Sequence, residues 1–200
     1  MIKLVIIAAL TFIISESHAQ YNVLKADLLG PLRGKYGVAF ERSFSPKWSA
    51  RILAEFGTYG RSSFTPDDEY KISGNGIIPE LRFFPVSPRK GAPAGLFIAA
   101  AFRSLRFRET YWDETQGVFF PIVSKGQMTN VGIDVGYQFT YRHFCAEILM
   151  GAGTGTMKKN DDIAASSMPY LSGNVLNDER KFYRAEILIG YMFPAMKKKE

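Results

Sequence analysis

The chain has 200 residues, of which 46% are hydrophobic and 22% are charged, so it is neither a disordered nor a low-complexity protein. One cysteine and two histidines exclude a disulfide framework and a cysteine-rich metal centre. The formal net charge of +6 is basic without being extreme. A mean hydropathy of -0.06 excludes a multi-helix membrane protein, but it is compatible with a membrane β-barrel, whose strands alternate apolar and polar residues.

The first segment, residues 1–19, has the features of a cleaved signal peptide. Lys3 supplies a positive start, residues 4–14 are apolar, and small residues precede a predicted cleavage site after Ala19. The apolar run is too short to span a bilayer as a helix. We therefore expect export, with a mature region, 20–200, that forms a single domain in the outer membrane of a Gram-negative cell.

Runs of alternating apolar and polar residues recur through the mature region and predict β-strands. The clearest run is 131–139, where Val131, Ile133 and Val135 share one face while Asp134 lies on the other. The predicted strands cover approximately residues 22–29, 35–44, 48–59, 75–84, 95–107, 128–140, 144–155 and 182–193. Their number is even, and they are long enough to cross a bilayer at a tilt.

The connections between these strands alternate in length. The turns at 45–47, 85–94 and 141–143 are mostly short, and the first connection, near Gly30, is short as well. The predicted loops are long and polar, and they cover 60–74, 108–127 and 156–181. This alternation is typical of an all-β, eight-stranded, antiparallel up-and-down transmembrane β-barrel with short periplasmic turns and longer extracellular loops.

Charged side chains fall on the strand face opposite to the apolar residues. In a soluble barrel or a half-buried soluble sheet the charged face meets water, whereas in a membrane barrel it faces the lumen. Charges of both signs in mid-strand, with glycines beside them on the same face, favour the membrane arrangement. The predicted structural lumen charge network comprises Asp27, Glu41, Arg51, Glu55, Glu80, Arg82, Arg103, Asp134, Glu147, Arg184 and Glu186, and Lys25 shares their face.

Aromatic residues cluster near the ends of the predicted strands. At the short-turn end they are Phe44, Trp48, Phe84, Tyr141, Phe144, Tyr191 and Phe193, and at the long-loop end they are Tyr59, Phe107, Tyr111, Trp112 and Tyr183. Membrane barrels carry two such girdles, one at each interface with water. We therefore predict that these rings lie outside the barrel at the two interfaces.

The strand-and-turn texture resembles that of small eight-stranded outer-membrane β-barrel proteins of OmpA/OmpX-like architecture, and of the Bacteroidetes-type outer membrane protein β-barrel domain. The resemblance is carried by residues 22–31, 36–49, 95–99 and 184–193. It implies a barrel architecture and does not imply a chemistry. Family members usually end on the aromatic residue of the last strand, whereas here the chain continues after Phe193.

No residue pattern predicts a catalytic, cofactor-binding or metal site. His143, the histidine of the mature region, lies in a turn assigned to the periplasmic side. The glycine-rich stretch 151–158 does not have the spacing of a phosphate-binding loop. Acidic residues at 67–69 and 161–162 are expected to be solvated loop charges, and the lysines at 197–199 a solvated chain end rather than a nucleic-acid site.

These observations favour a non-catalytic outer-membrane β-barrel protein with a side-chain-filled lumen and a structural or surface-interaction role through its extracellular loops. The alternatives are an envelope-lipid-modifying barrel enzyme, a small-solute channel, or a secreted lipocalin-like carrier. The expected partners are outer-membrane lipid, lipopolysaccharide and, during biogenesis, the barrel-assembly machinery. We expect a monomer that binds no cofactor and no nucleic acid.

Overall fold

The structure is a computed structural model, and it describes residues 21–62, 70–86, 93–115, 118–162 and 176–194. The predicted signal peptide, residues 1–19, lies outside the described residues. Within the described part of the chain, no helix is long and apolar enough to cross a membrane.

Eight antiparallel strands form one closed barrel in which each strand pairs with its neighbours in sequence. The strands are β1 (Tyr21–Asp27), β2 (Lys35–Ser43), β3 (Trp48–Ser62), β4 (Tyr70–Phe83), β5 (Gly95–Thr115), β6 (Val118–Tyr141), β7 (Phe144–Asp162) and β8 (Leu176–Pro194). Pairing of β1 with β8 closes the barrel, so the sheet has no free edge. The predicted architecture, an all-β closed barrel of eight antiparallel strands, is confirmed.

Local turn chemistry explains the tight connections at one end of the barrel. The Ser45 hydroxyl accepts hydrogen bonds from the backbone N–H groups of Lys47 at 3.2 Å and Trp48 at 3.0 Å, which fixes the turn between β2 and β3. Between β6 and β7 the chain reverses through Arg142, whose φ is 52°, and His143. Both chain ends of the described barrel lie at this end, which we call the short-turn end.

The strands run further towards the opposite end, the loop end, than the sequence predicts. The predicted loops at 60–74, 108–127 and 156–181 are too long, because much of each range belongs to a strand. β5 and β6 stay paired from Gly95 to Thr115, well past the last apolar alternation. The physical reason is that backbone hydrogen bonds need no apolar side chain, so the ladder continues where the hydrophobic pattern stops.

The outer surface of the barrel is a continuous apolar belt. On β6 the outward side chains have exposed fractions from 47% to 63%, and they are Val131, Ile133, Val135, Tyr137, Phe139 and Tyr141. These six positions span about 33 Å along the strand, or about 25 Å along the barrel axis at a tilt of about 40°. The other strands add exposed apolar side chains at the same level, among them Leu24, Phe40, Ile52, Leu81, Ile98, Phe102, Ile148 and Ile189.

Apolar side chains also fill part of the lumen, which the sequence analysis did not predict. The main cluster consists of Ala39, Leu53, Ile78, Phe84, Phe97, Ala99, Ala101, Leu149 and Leu188. The ring centroids of Phe84 and Phe97 lie 5.4 Å apart. Nearer the loop end, Leu105, Phe107 and Met157 are buried as well.

Two members of the predicted aromatic girdles are therefore misplaced. Phe84 is fully buried inside the barrel, and Phe107 is 7% exposed. Phe84 follows the inward Arg82 by two residues, and Phe107 follows the inward Leu105 by two, so strand parity turns both rings towards the lumen. A position near a strand end is thus not enough to identify an interfacial ring.

The lumen packing predicts a strong effect of shortening Phe97. Phe97→Ala should lower the free energy of unfolding by about 3–5 kcal/mol, because the ring is fully buried between Phe84 and the Arg82 guanidinium. Phe139→Ala, on the outer face, should cost clearly less. Urea unfolding of the detergent-solubilised protein measures both, and equal losses would contradict the assignment of Phe97 to the core.

Candidate functional site

A layer of charged side chains crosses the middle of the lumen between apolar residues on either side. The structure places every member of the predicted lumen network on the inner wall. Arg103 and Arg184 are partly exposed, and the other predicted members are buried. The layer forms because β-strand parity points every second residue inward, and the charged residues of the strands share that parity.

Glu147, on β7, is paired with three cations of this layer. Its Oε1 lies 2.7 Å from Arg82 Nη2 and 3.0 Å from Arg51 Nη1. Its Oε2 accepts a hydrogen bond from Arg82 Nη1 at 2.8 Å and is also ion-paired with Lys25. Three cations from β1, β3 and β4 therefore meet at one side chain from the far wall.

Glu80, on β4, collects a second set of cations. Arg51 Nε and Arg82 Nε donate to its Oε2 at 2.8 and 2.9 Å. Arg184 Nη2 donates to its Oε1 at 2.5 Å from β8, which lies across the barrel. Because Arg51 and Arg82 contact both Glu80 and Glu147, the two carboxylates belong to one connected network.

The network also uses neutral polar side chains at its edge towards the short-turn end. Glu41 is ion-paired with Lys25 and accepts a hydrogen bond from the Ser49 hydroxyl at 2.5 Å. Lys25 donates to the Gln138 side-chain oxygen at 2.8 Å, and the Gln138 amide donates to the Pro93 carbonyl at 2.8 Å. The ammonium group of Lys25 therefore has three acceptors and needs no water.

At the other edge, Arg184 lies 3.0 Å from Glu186 and 3.2 Å from Asp134. The connected layer thus has the cations Lys25, Arg51, Arg82 and Arg184 and the carboxylates Glu41, Glu80, Asp134, Glu147 and Glu186. Charges of opposite sign are nearly balanced, which is what burial of ionised groups requires.

Three predicted members lie outside this central layer. Glu55 pairs with Arg103 at 2.6 Å and with Lys35 at 3.2 Å, forming a separate cluster nearer the loop end. Asp27 accepts a hydrogen bond from the backbone N–H of Leu29 at 3.0 Å, so it stabilises the turn after β1.

Sequence reasoning missed several polar contributors. Lys35, Ser49 and Gln138 were not predicted as members, although each has the inward parity of its strand. Parity alone would have found them. Glycine makes room for the longer chains, since a Cβ at position 190 would lie 2.7 Å from Lys25 Cγ.

The predicted lack of a metal site can be compared with the described residues alone. They contain no cluster of three or more His, Cys, Asp or Glu side chains able to hold a metal ion. His143 is exposed in its turn, with its ring stacked on Tyr191 at 5.7 Å and Nδ1 3.3 Å from the Met192 carbonyl oxygen. The lumen network, in which carboxylates face cations, is suited to holding the wall strands together.

The fold and its charged interior define a small closed β-barrel with a side-chain-filled lumen. Residues 4–183 match the family described as a protein of unknown function (DUF3575), and the protein belongs to this family. No curated protein matches the chain.

Two solved structures are similar to the chain. The N-terminal β-barrel domain of Pseudomonas aeruginosa OprF is 14% identical, with 88% of this chain and 98% of that chain covered and a TM-score of 0.39. Acinetobacter baumannii CarO is 12% identical, with 88% of this chain and 98% of that chain covered and a TM-score of 0.42.

The network predicts that replacing two of its carboxylates by the neutral amide lowers the free energy of unfolding by different amounts. Glu147→Gln should lower the free energy of unfolding by about 3–5 kcal/mol, because it leaves buried cations without a counter-charge. Glu55→Gln should cost less, since the side chains of its partners Arg103 and Lys35 are 13% and 18% exposed. Urea unfolding in detergent measures both variants, and a larger loss for Glu55→Gln would show that the central layer is not the dominant ionic contact.

Proposed function

We propose that the chain is a non-catalytic protein of the outer membrane that crosses the bilayer as an eight-stranded barrel. In this proposal the short-turn end faces the periplasm and the loop end faces the outside of the cell. The observation that carries it is the inverted distribution of side chains, with an ionic layer inside and an apolar belt outside.

The inversion is costly for a barrel in water. Charged groups such as Arg51 and Arg82 lose their hydration in the lumen, and ion pairing only partly offsets that loss. Large side chains such as Ile133 and Met150 remain 63% and 69% exposed outside. Exposing these side chains to water is a second free-energy cost. Insertion into a bilayer removes it, because lipid tails solvate the apolar belt and water does not.

The height of the belt and the rings at its borders support the same proposal. The belt measures about 25 Å along the axis, which matches the apolar band of outer-membrane barrels. At the short-turn end, Trp48 packs on Phe83 at 4.8 Å between ring centroids, and Phe144 packs edge-on against Tyr191. At the loop end, Tyr183 is 80% exposed. Rings at both borders are typical of membrane interfaces.

The filled lumen and the long strands suggest how such a barrel acts. Fully buried side chains from opposite walls meet in the ionic layer, which supports a rigid scaffold in preference to a wide channel. β5 and β6 continue well beyond the belt and carry the chain away from the membrane. Contacts with molecules outside the cell would therefore be made at the loop end, where a rigid barrel carries the connecting segments.

The proposal predicts a position-specific effect of a new charge on β6. Val135→Arg places a guanidinium near the middle of the belt and should destabilise the membrane-inserted barrel by about 2–4 kcal/mol. Thr129→Arg introduces the same side chain on the same face of the same strand, just beyond the belt and between the neutral Ser104 and Thr156, and should be nearly neutral. Stability is measured by urea titration in lipid vesicles.

Cell fractionation provides the independent check of this proposal. The mature protein should remain with the outer membrane and require detergent for release. Recovery of the folded protein in the soluble fraction, together with a harmless Val135→Arg substitution, would contradict the membrane assignment.

A further inference from the structure

From the ionic layer towards the loop end, the inner wall of β6 and β7 is lined by glycines. They are Gly132 on β6 and Gly151, Gly153 and Gly155 on β7, all at inward positions of their strands, and we call them the glycine strip. A glycine contributes no side chain to the lumen, so larger groups can lie flat against this part of the wall. The strip is therefore a place where a ligand could come close to the backbone.

Three side chains lie on the glycine strip in a row. They are, in order towards the loop end, Asp134, Phe182 and Asn130. Each occupies the place that a Cβ atom would need at one of the glycines, Asp134 at position 151, Phe182 at position 153 and Asn130 at position 155. The row thus has a carboxylate at one end, an amide at the other end and an aromatic ring between them.

The two polar side chains of the row are buried without hydrogen bonds. Asp134 is 0% exposed and Asn130 is 1% exposed. Neither oxygen of the Asp134 carboxylate, and neither the oxygen nor the nitrogen of the Asn130 amide, has a hydrogen-bond partner in the described part of the chain. Buried polar groups are normally hydrogen-bonded, because an unpaired one loses its hydration without compensation. Both ends of the row are therefore open to a polar group of a ligand.

The carboxylate end of the row favours a positively charged group. The connected ionic layer, as far as the structure describes it, has four cations and five carboxylates. Asp134 pairs with Arg184 at 3.2 Å, and Arg184 is also paired with Glu80 and Glu186. A cationic group of a ligand beside Asp134 would balance the charges of the layer.

The lumen becomes more accessible from the ionic layer towards the loop end. The side chains of Arg51 and Arg82, inside the layer, are 0% exposed, and the side chain of Arg184, at its edge, is 7% exposed. Nearer the loop end, the inward side chains of Arg103 and Lys35 are 13% and 18% exposed. Solvent therefore reaches the neighbour of Asp134 from the loop end, and a slender ligand would follow the same route.

The spacing of the row indicates the shape of the ligand. Positions 151 and 155 are four residues apart on one strand, so the polar groups of Asp134 and Asn130 lie about 13 Å apart. A linear chain with nine bonds between two terminal nitrogens extends to about 11 Å, which brings each nitrogen within hydrogen-bond reach of one polar group. The Phe182 ring lies between them, where it can contact methylene groups or attract a central ammonium group.

We propose that the glycine strip binds a linear aliphatic polyamine that enters the lumen from the loop end. One terminal ammonium group donates to Asp134, the chain packs on Phe182, and the other terminal ammonium group donates to the side-chain oxygen of Asn130. The formal net charge of the protein is +6, so general electrostatic attraction does not favour a polycation, and the affinity has to come from this local site. The inference goes beyond the proposed membrane function and does not depend on it, because the strip lies inside the barrel in lipid and in detergent alike.

The test is isothermal titration calorimetry on the full mature chain, folded in a neutral detergent. Spermidine, which has about nine bonds between its terminal nitrogens, should bind with saturation. The shorter 1,4-diaminobutane extends to about 6 Å and should bind at least about tenfold more weakly, because it cannot reach both ends of the row. Asp134→Asn should weaken spermidine binding about a hundred-fold, since it removes a charge-assisted hydrogen bond, and Asn130→Leu should weaken it about tenfold.

A matched control makes the same change at another inward aspartate. Asp27→Asn, on β1, keeps an oxygen for the backbone N–H of Leu29 and should leave spermidine binding unchanged. Urea unfolding without ligand is measured in parallel, and Asp134→Asn and Asn130→Leu should be about as stable as the wild type, because each replaces a buried group that lacks a hydrogen bond. No saturable binding of millimolar spermidine, equal affinity for the two amines, an equal loss in Asp27→Asn, or unfolding of both strip variants would overturn the inference.

Discussion

The buried ionic layer is the interaction on which the rest of the structure depends. Arg51, Arg82 and Arg184 must stay ionised, so carboxylates have to surround them on all sides of the lumen. Only a closed barrel brings β1, β3, β4, β7 and β8 close enough together for that purpose. Closure between β1 and β8 therefore satisfies the backbone groups of both strands and also assembles the ionic layer.

Because alternate residues of each strand fill the interior, the remaining residues of the same strands form the outer surface of the barrel. The outward positions of the same strands must be compatible with whatever surrounds the barrel, and they form a belt of Val, Ile, Leu, Phe and Tyr. The belt ends at a defined level, and the outward residues then become polar and basic on β5 and β6. The inner ionic layer and the outer apolar belt are two consequences of strand parity combined with position along the barrel axis.

Much of this organisation could be predicted from the sequence, because the period of two in a β-strand assigns each residue to a face. Parity placed Glu147 and Ile133 on opposite faces correctly. It could not locate the strand ends, since the ladder between β5 and β6 continues through polar residues. The prediction for Phe84 was wrong. Its position near a strand end suggested an interfacial ring, but its parity points inward, and the ring is buried in the lumen.

The partners within the ionic layer were harder to predict than its members. Arg51 and Glu80 are directly opposite on paired strands, so their contact follows from the register alone. Arg82 and Glu147 lie on β4 and β7, and their contact depends on the barrel diameter and on the room left by small neighbours. The distance across the lumen between side chains of β4 and β7 cannot be derived from the sequence, because it is set only when all eight strands close into a barrel.

The measurement that tests the inverted arrangement most directly is a spin-label scan along β6 in lipid vesicles. Single cysteines at positions 131 to 137, in a background where the buried Cys145 is replaced by alanine, would carry the label. The account predicts that labels at 131, 133, 135 and 137 collide readily with oxygen dissolved in the lipid, whereas labels at 132, 134 and 136 are immobilised and shielded. The opposite alternation, or uniform access to a water-soluble relaxation agent, would contradict it.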